Sequence, residues 1–302
     1  MMYRKKVYGA IILAIVILGG ILGVYWNHTV YLKSDELIML SSQENAQMLS
    51  IVIRSQNKGL VVIDGGWEAD GENLLKVIRK NGGHVNAWLI THPHSDHVGA
   101  LYYILKNKKK DITIDQIYYS FAPLEWYHRV APEDEGMVYK LLGEFAKLPA
   151  VILDDSISHG DQINVDDINI TVMDDRYKLE NDSVNNSSIV YKAVIKGKKL
   201  LILGDLGYEG GNQLLKNCLK DDLRADVVQM AHHGQNGVGK EVYEAISPKT
   251  CLWPTPEWLW NNDNGGGPGS GPWNSMETRQ WMSEIGVKKN YCTKDGNIFL
   301  SF

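Results

Sequence analysis

The 302-residue chain reads as an α/β protein in which two mixed β-sheets pack face to face with helices on the outside, an αββα sandwich preceded by one transmembrane helix. Three observations predict this. Strand-like and helix-like runs alternate and then do so again in a second half. Several of the strand-like runs end in Gly, Asp or His, residues that turn the chain or hold ligands. Before any of this comes an unbroken apolar stretch unlike anything later. With 44% hydrophobic and 22% charged residues, the chain can bury a full core as one large domain or two small ones. A formal charge of −5 argues against a general basic face for nucleic acid, and no sequence-specific nucleic-acid binding is expected.

Arg4, Lys5 and Lys6 precede apolar residues 7–26, enough for one helix to cross a bilayer with its positive end in the cytoplasm. No small-x-small cleavage pattern follows, so residues 1–30 are expected to form a signal anchor that holds residues 31–302 outside the cytoplasm. The alternative is secretion after cleavage. No cysteine lies in or just after the stretch, which excludes a lipoprotein anchor. Cys218, Cys251 and Cys292 are too few and too scattered for a disulfide framework or a thiolate zinc site, and read as small buried apolar residues.

Beyond the anchor, runs 36–40, 49–53 and 60–64 read as strands, the last ending on Asp64 before a Gly65-Gly66 turn. A helix is expected over 72–79. The buried strand 87–90 delivers a histidine cluster at its C-terminal end, where layered α/β folds place their ligands. A helix over 98–105 follows, and the lysines of 106–110 read as its solvated end. Residues 115–153 carry a strand, an aromatic loop with Phe121, Trp126 and Tyr127, and a helix over 135–147. Strands return at 162–165, 168–172, 188–195 and 199–203, with Gly197 turning the last hairpin. Gly204-Asp205, a helix at 213–219, a strand at 225–230 and Ala231-His232-His233-Gly234 follow. A helix at 240–246, a strand at 250–253, a helix at 276–285 and two final strands complete the domain.

The run Thr91-His92-Pro93-His94-Ser95-Asp96-His97 concentrates metal-ligand side chains as few structural roles would require. His92 and His94, two apart in a near-extended segment, project the same way, while Asp96 and His97 follow after the chain has turned. One loop therefore serves two metal sites. Imidazole and carboxylate ligands without thiolates suit Zn²⁺ or Mn²⁺. A water shared by two such ions is acidified towards neutrality and becomes a nucleophile, so no Ser-His-Asp arrangement is needed.

Thr-His-x-His-x-Asp-His-x-Gly at 91–99, Gly204-Asp205 and His232-His233-Gly234 together resemble the metallo-β-lactamase superfamily of hydrolases. More narrowly, Asn185-Asn186-Ser187-Ser188 running into a hairpin, then Asp226 and the His-His-Gly run, is similar to the metallo-hydrolase domain of DNA-uptake competence channels. It is also similar to the catalytic domain of teichoic-acid phosphorylcholine esterases. The resemblance spans roughly residues 37–302 and implies the metallo-β-lactamase fold.

It also implies roles. His92 and His94 match ligands of the first metal, Asp96 and His97 those of the second, and Asp205 the carboxylate bridging both. One of His232 and His233 completes the second site, and both stay open because the register is unknown. Asp64 matches the acid that accepts a hydrogen bond from an imidazole behind the metals, or else simply starts its turn. The implied cofactors are two divalent metal ions, zinc ahead of manganese. Many members carry one more histidine between the first motif and the bridging aspartate. Here that interval holds only His128 and His159, neither in a matching context.

Four tryptophans, Trp253, Trp258, Trp260 and Trp273, flank a Gly/Pro-rich loop. Trp258, Trp260 and Trp273 are candidates for an aromatic rim over the metals, able to stack on a sugar or surround a quaternary ammonium. Core packing beside an idle loop is the competing reading, and Asn186 is a further candidate substrate contact. The expected function is a membrane-anchored, extracytoplasmic hydrolase of a small-molecule or cell-envelope phosphodiester (a phosphorylcholine ester, a nucleotide or another), with Asp96 orienting the nucleophile or passing a proton. Two alternatives stand beside it: a lactamase, lactonase or thioesterase on the same metal pair, or a non-catalytic surface binding module.

Overall fold

The structure is a computed structural model that describes residues 34–302. The anchor expected over 7–26 lies outside the described residues. Among the described residues, no helix is long and apolar enough to cross a membrane.

Why two sheets form is visible in β2 (Ser50–Arg54) and β3 (Leu60–Asp64), whose runs SIVIR and LVVID are apolar without alternation. A strand needs that pattern when both its faces are buried. Ile51, Ile53, Val61 and Ile63 point into the core between the sheets. Val52, Leu60 and Val62 point the other way, under the helices. A register slip of one residue would exchange the two sets, so the pairing of Val52 with Val62 is set by packing on both sides.

The first sheet adds β1 (Glu36–Met39), β4 (His84–Leu89), β5 (Thr113–Tyr118) and β6 (Leu153–Asp154), and the second begins with β7 (Gln162–Val165), β8 (Ile168–Asp174), β9 (Val190–Ile195) and β10 (Lys198–Ile202). After these come β11 (Val227–Gln229), β12 (Thr250–Trp253), β13 (Lys289–Cys292) and β14 (Ile298–Ser301). The strand orders are β14-β1-β2-β3-β4-β5-β6 and β13-β12-β11-β10-β9-β8-β7. The outer layer of the first sheet is α1 (Gly71–Lys80), α2 (Ser95–Asn107), α3 (Leu124–Val130) and α4 (Pro132–Phe145). That of the second comprises α5 (Tyr208–Asn217), α6 (Lys220–Leu223), α7 (Lys240–Ile246), α8 (Glu257–Trp260) and α9 (Ser275–Ile285).

In each sheet the parallel strands run together, β3 to β6 and β10 to β13. Their C-terminal ends lie along one rim, which carries Asp64, Thr91, Asp205 and the two histidines after β11. The last two strands separate: β13 joins the second sheet beside β12, and β14 crosses to pair with β1. Cys251 and Cys292 lie on neighbouring strands, and all three cysteines are free and buried.

Two segments differ from the sequence expectation. Trp126 and Tyr127 sit on α3 rather than in a loop, buried against Val138 and Val184. The next helix starts at Pro132, which suits a first helical turn because proline has no N–H to leave unpaired there. Helix α5 starts at Tyr208, and Gly210-Gly211 hides that start from a propensity reading.

Helix α2 lies tight against the turn before α1. A Cβ at Gly99 would stand 2.5 Å from the backbone nitrogen of Glu68 and 2.8 Å from the carbonyl carbon of Trp67. Gly99→Ala is therefore expected to destabilise the fold by roughly 1–3 kcal/mol through overpacking. Gly136→Ala on α4, where a Cβ meets nothing within 4 Å, should be neutral or stabilising. Urea unfolding of the two variants checks this, and equal midpoints would contradict it.

Candidate metal centre

The centre starts from Asp64. It ends β3 with left-handed backbone, φ 55°, which swings its carboxylate across to the neighbouring strand end. Oδ1 accepts the Thr91 N–H at 2.8 Å, and Oδ2 accepts both the Thr91 hydroxyl and His97 Nδ1–H at 2.7 Å. Trp88 Nε1 donates to the Asp64 carbonyl, pinning the turn itself. From Thr91 the chain runs extended through His94, then starts α2, so Asp96 and His97 sit in the first helical turn.

His92, His94, His97 and His233 each have their outer nitrogen engaged. The Thr91 hydroxyl gives its proton to Asp64, so it can only accept from His92 Nδ1, 3.1 Å away, with Ser188 Oγ a second acceptor at 3.2 Å. His97 Nδ1 donates to Asp64, and His233 Nδ1 donates to the Pro254 carbonyl at 3.2 Å. His94 is turned round, its Nε2 facing Asp134 Oδ2 at 3.3 Å. The inner atoms are thus Nε2 of His92, His97 and His233 and Nδ1 of His94, as partner-fixed tautomers require.

These inner atoms form two groups. His92 Nε2 and His94 Nδ1 stand 3.0 Å apart. His233 Nε2 lies 3.0 Å from Asp205 Oδ2 and 3.1 Å from Asp96 Oδ2, and His97 Nε2 lies 3.2 Å from Asp205 Oδ1. Ligand atoms of Asp96, His97, Asp205 and His233, all buried residues, lie within 4.8 Å of one another. Yet His97 Nε2, His233 Nε2 and Asp205 Oδ1 have no aligned hydrogen bond. Buried donors and acceptors this close normally point at each other. Here they point at a common space between them, so the nitrogen and carboxylate donors fit a divalent cation there, and His92 with His94 beside Asp205 offers a second position. The result is a candidate dinuclear metal site.

Charge in the metal-free chain follows the same geometry. Burial alone would lower His97 and His233, but Asp205 and its neighbours outweigh it, holding His97 well above the ordinary histidine value and pushing His233 up to about 9. Burial would raise Asp205, yet His233 and His97 hold it well below the carboxylate range, and Asp96 is lowered against burial by His97 and His233. His92, chiefly through burial, falls well below the usual value and stays neutral.

Of the two adjacent histidines, the structure brings His233 into the carboxylate cluster. His232 Nε2 stays 4.0 Å from Asp205 Oδ2, within 3.4 Å of Asn185 Nδ2, and its buried Nδ1 has no partner. Neither follows strand alternation: both take left-handed backbone, φ 50° and 56°, before Gly234 at φ 83°. Such conformations cost about 1–3 kcal/mol each in non-glycine residues, so surrounding contacts must impose them. Gln229, fully buried, accepts the Leu203 and Gly204 N–H groups and donates to the carbonyls of Gly204 and Met230, locking together the strand ends that carry Asp205 and the two histidines.

Other candidates are placed elsewhere. Asn186 is 1% exposed, and its side chain is occupied with Gly207 and Gly210 N–H and the Asn181 carbonyl, so it holds the loop and offers no free substrate contact. Trp260 is removed from the rim: it packs edge-on against Trp253, with the Arg279 guanidinium 4.4 Å over its ring. Trp258 and Trp273 pack against each other with ring centroids 4.8 Å apart and planes tilted by 59°, both half-exposed, and Trp258 Nε1 donates to the Asn45 carbonyl. His128 is exposed and pairs with Glu135, His159 sits in an exposed turn, and Asp226 lies at the other end of the sheet, so none of the three joins the centre. Asp134, Gln229 and the Pro254 carbonyl were not anticipated, because a helix carboxylate, a strand amide and a backbone oxygen carry no motif.

A two-sheet sandwich with this histidine–aspartate rim defines a class of metal-dependent hydrolase folds. The family model described as the metallo-beta-lactamase superfamily matches residues 47–241, and the chain belongs to that superfamily. No curated protein matches the chain. Among solved structures it is similar to the metallo-beta-lactamase fold protein YhfI from Bacillus subtilis, 10% identical over 89% of this chain and 100% of that one, TM-score 0.55. It is also similar to CmlA, a diiron beta-hydroxylase from Streptomyces venezuelae, 9% identical over 89% of this chain and 54% of that one, TM-score 0.52. At such identities the likeness is one of fold.

Metal uptake must displace the protons that His97 and His233 hold towards Asp96 and Asp205. Because both imidazoles are raised, their ion pairs stabilise the metal-free chain fully below about pH 6.5 and are lost as pH climbs through their raised values, about 9 for His233. Across that window the melting temperature of the metal-free chain should fall, while Zn²⁺ affinity rises by up to about tenfold per pH unit for each proton displaced. Calorimetry and competitive metal titration check both slopes, and an affinity independent of pH would contradict the reading.

Proposed function

We propose that the chain is a metal-dependent phosphodiesterase acting outside the cytoplasm and tethered by residues 7–26. The observation that carries the metal-dependent part is the convergence of buried, unaligned inner atoms from His97, His233 and Asp205. Donors of this kind suit Zn²⁺ ahead of Mn²⁺. Asp96, His97, Asp205 and His233, with His92 and His94, would hold two such ions, which when bound would supply an acidified water and positive charge for the substrate's oxygens. Asp205 turns one oxygen towards His97 and the other towards His233 within the carboxylate cluster, and the pair His92 and His94 stands beside it, so it is the carboxylate that would serve both positions.

A phosphodiester is favoured over a lactam or thioester by what lies beside the metals. A phosphoryl group presents two non-bridging oxygens where a carbonyl presents one. Next to Asp205 stands the His232 imidazole, lowered mainly by burial and therefore neutral near pH 7, an uncharged group suited to a further oxygen; the Asn185 amide beside it already donates to Asp182 Oδ1 at 2.7 Å. Asp96 turns Oδ2 to His233, and its other oxygen makes no hydrogen bond among the described residues, which leaves it for the attacking water or the leaving group. The Asn185–Ser188 run and the His-His-Gly turn supply the similarity to competence-channel hydrolases and phosphorylcholine esterases. A binding module would have little use for such open positions.

The test is a panel of a bis-aryl phosphodiester, a β-lactam and a lactone on the full chain in detergent, with metal content measured beside it. Turnover of the phosphodiester alone is expected, and Asp205→Ala should lose both metal and activity. Asp96→Asn is expected to cost about 100-fold in kcat. An Asp96→Asn chain that retains both metals and full turnover would remove that role, and lactam hydrolysis without phosphodiester hydrolysis would overturn the assignment.

The paired Trp258 and Trp273 form the part of the aromatic segment still available to substrate. Trp258→Ala should raise KM for a choline-bearing phosphodiester more than for a small aryl phosphodiester, and equal effects on both would count against a recognition role.

A further inference from the structure

At the end of the sandwich opposite the metal centre, lysines accumulate where the strands of the second sheet begin. Lys198 and Lys199 open the β10 end of the hairpin, Lys249 precedes β12, and Lys288 and Lys289 stand at the start of β13. All five are exposed. Lys249 is paired with Asp226 and Lys196 with Asp35, but Lys198, Lys199, Lys288 and Lys289 make no ion pair among the described residues. The carboxylates at this end, Asp35, Asp166, Asp167 and Asp226, are fewer than its six lysines, and three of them are held by the protein's own donors: Asp35 by the Gln56 N–H, Asp166 by the Ser55 hydroxyl and the Gly59 N–H, and Asp226 by the Lys199 N–H. A chain with a formal charge of −5 has thus gathered a local positive surface at one end.

Aromatic residues lie among these lysines. A cleft of about 440 Å³ opens between the two sheets, lined by Lys198, Lys249, Lys289, Tyr291, Phe299 and Phe302, and Phe299 is 57% exposed. The N-terminal side of the domain is tied to this same end. Ser34 accepts from Arg54, the Asp35 carbonyl accepts the Phe302 N–H, and the Asp35 carboxylate meets Lys196. Only residues 27–33 separate Ser34 from Trp26, the end of the apolar stretch. Fully extended, that link reaches under about 30 Å.

From these placements we propose that the lysine end is a docking surface for the anionic face of the bilayer that holds the chain. Lysines pair with lipid phosphates, Phe299 and Tyr291 sit at headgroup level, and the metal centre faces away from the membrane. The short link keeps this end, and not the metal rim, next to the lipid. The inference rests on the anchored reading made above.

The test is lysine acylation, read by mass spectrometry, of the full chain in vesicles of phosphatidylcholine alone or mixed with phosphatidylglycerol. Lys198, Lys249, Lys288 and Lys289 should be modified about fivefold more slowly on the anionic vesicles, with the difference lost in roughly 0.5 M salt. Lys140 and Lys216 should be unaffected. In the Lys198→Glu/Lys289→Glu double variant, Lys249 and Lys288 should lose their protection. Carbonate extraction separates the two claims. A chain stripped from the vesicles refutes the anchor and this docking with it. A chain that resists stripping but is labelled equally on both vesicles refutes the docking alone.

Discussion

The hydrogen bonds behind the imidazoles govern the rest of the site. A histidine ring has two nitrogens and, when neutral, one proton, so whichever nitrogen is held by an outer acceptor leaves the other as a bare lone pair. Asp64, Thr91 with Ser188, Asp134 and Pro254 supply those acceptors for His97, His92, His94 and His233. The acceptors come from β3, from the segment after β4, from the loop before β9, from α4 and from the turn after β12. The site therefore exists only when both sheets and one outer helix are in place. Its coupling to folding is a consequence of where the second partners sit, more than of where the ligands sit.

The same dependence explains the backbone strain. Asp64, His232 and His233 all occupy left-handed backbone, and each is fastened by contacts outside its own turn: Trp88 to the Asp64 carbonyl, the Gly204 carbonyl to the His232 N–H, and the Thr255 hydroxyl to the His233 carbonyl. A single strand end offers side chains alternately to opposite faces and cannot present two histidines to one centre. Turning the chain left-handed after β11 lets His233 enter the carboxylate cluster while His232 stays alongside it, next to Asn185.

Much of this was legible in the sequence because the motif and the strands obey local rules. The apolar runs of β2 and β3 declare strands buried on both faces, and the density of His92, His94, Asp96 and His97 after β4 places a ligand-rich loop at a rim. Other parts obey no local rule. The choice between His232 and His233 depends on two left-handed residues that a strand register does not describe. Asp134 lies in an ordinary acidic first turn of a helix, and only the packing of α4 on α2 carries it to His94. Helix α3 is short and bounded by Pro123 and Pro132, so its aromatic residues resemble a loop. The divergence of β13 and β14 into different sheets depends on pairing with β12 and β1, far away in the chain. Trp260 and Asn186 looked available only because their partners, Arg279 on α9 and the N–H groups at the start of α5, are invisible to a reading of neighbours.

Outer partners fix which nitrogen of each imidazole faces the metals. A long-range ¹H–¹⁵N correlation spectrum of the histidine rings in the Zn²⁺-loaded chain tests it most directly. His92, His97 and His233 are expected to carry their proton on Nδ1, and His94 on Nε2. A spectrum in which His97 or His233 is protonated on Nε2 while the chain is metal-loaded would contradict it.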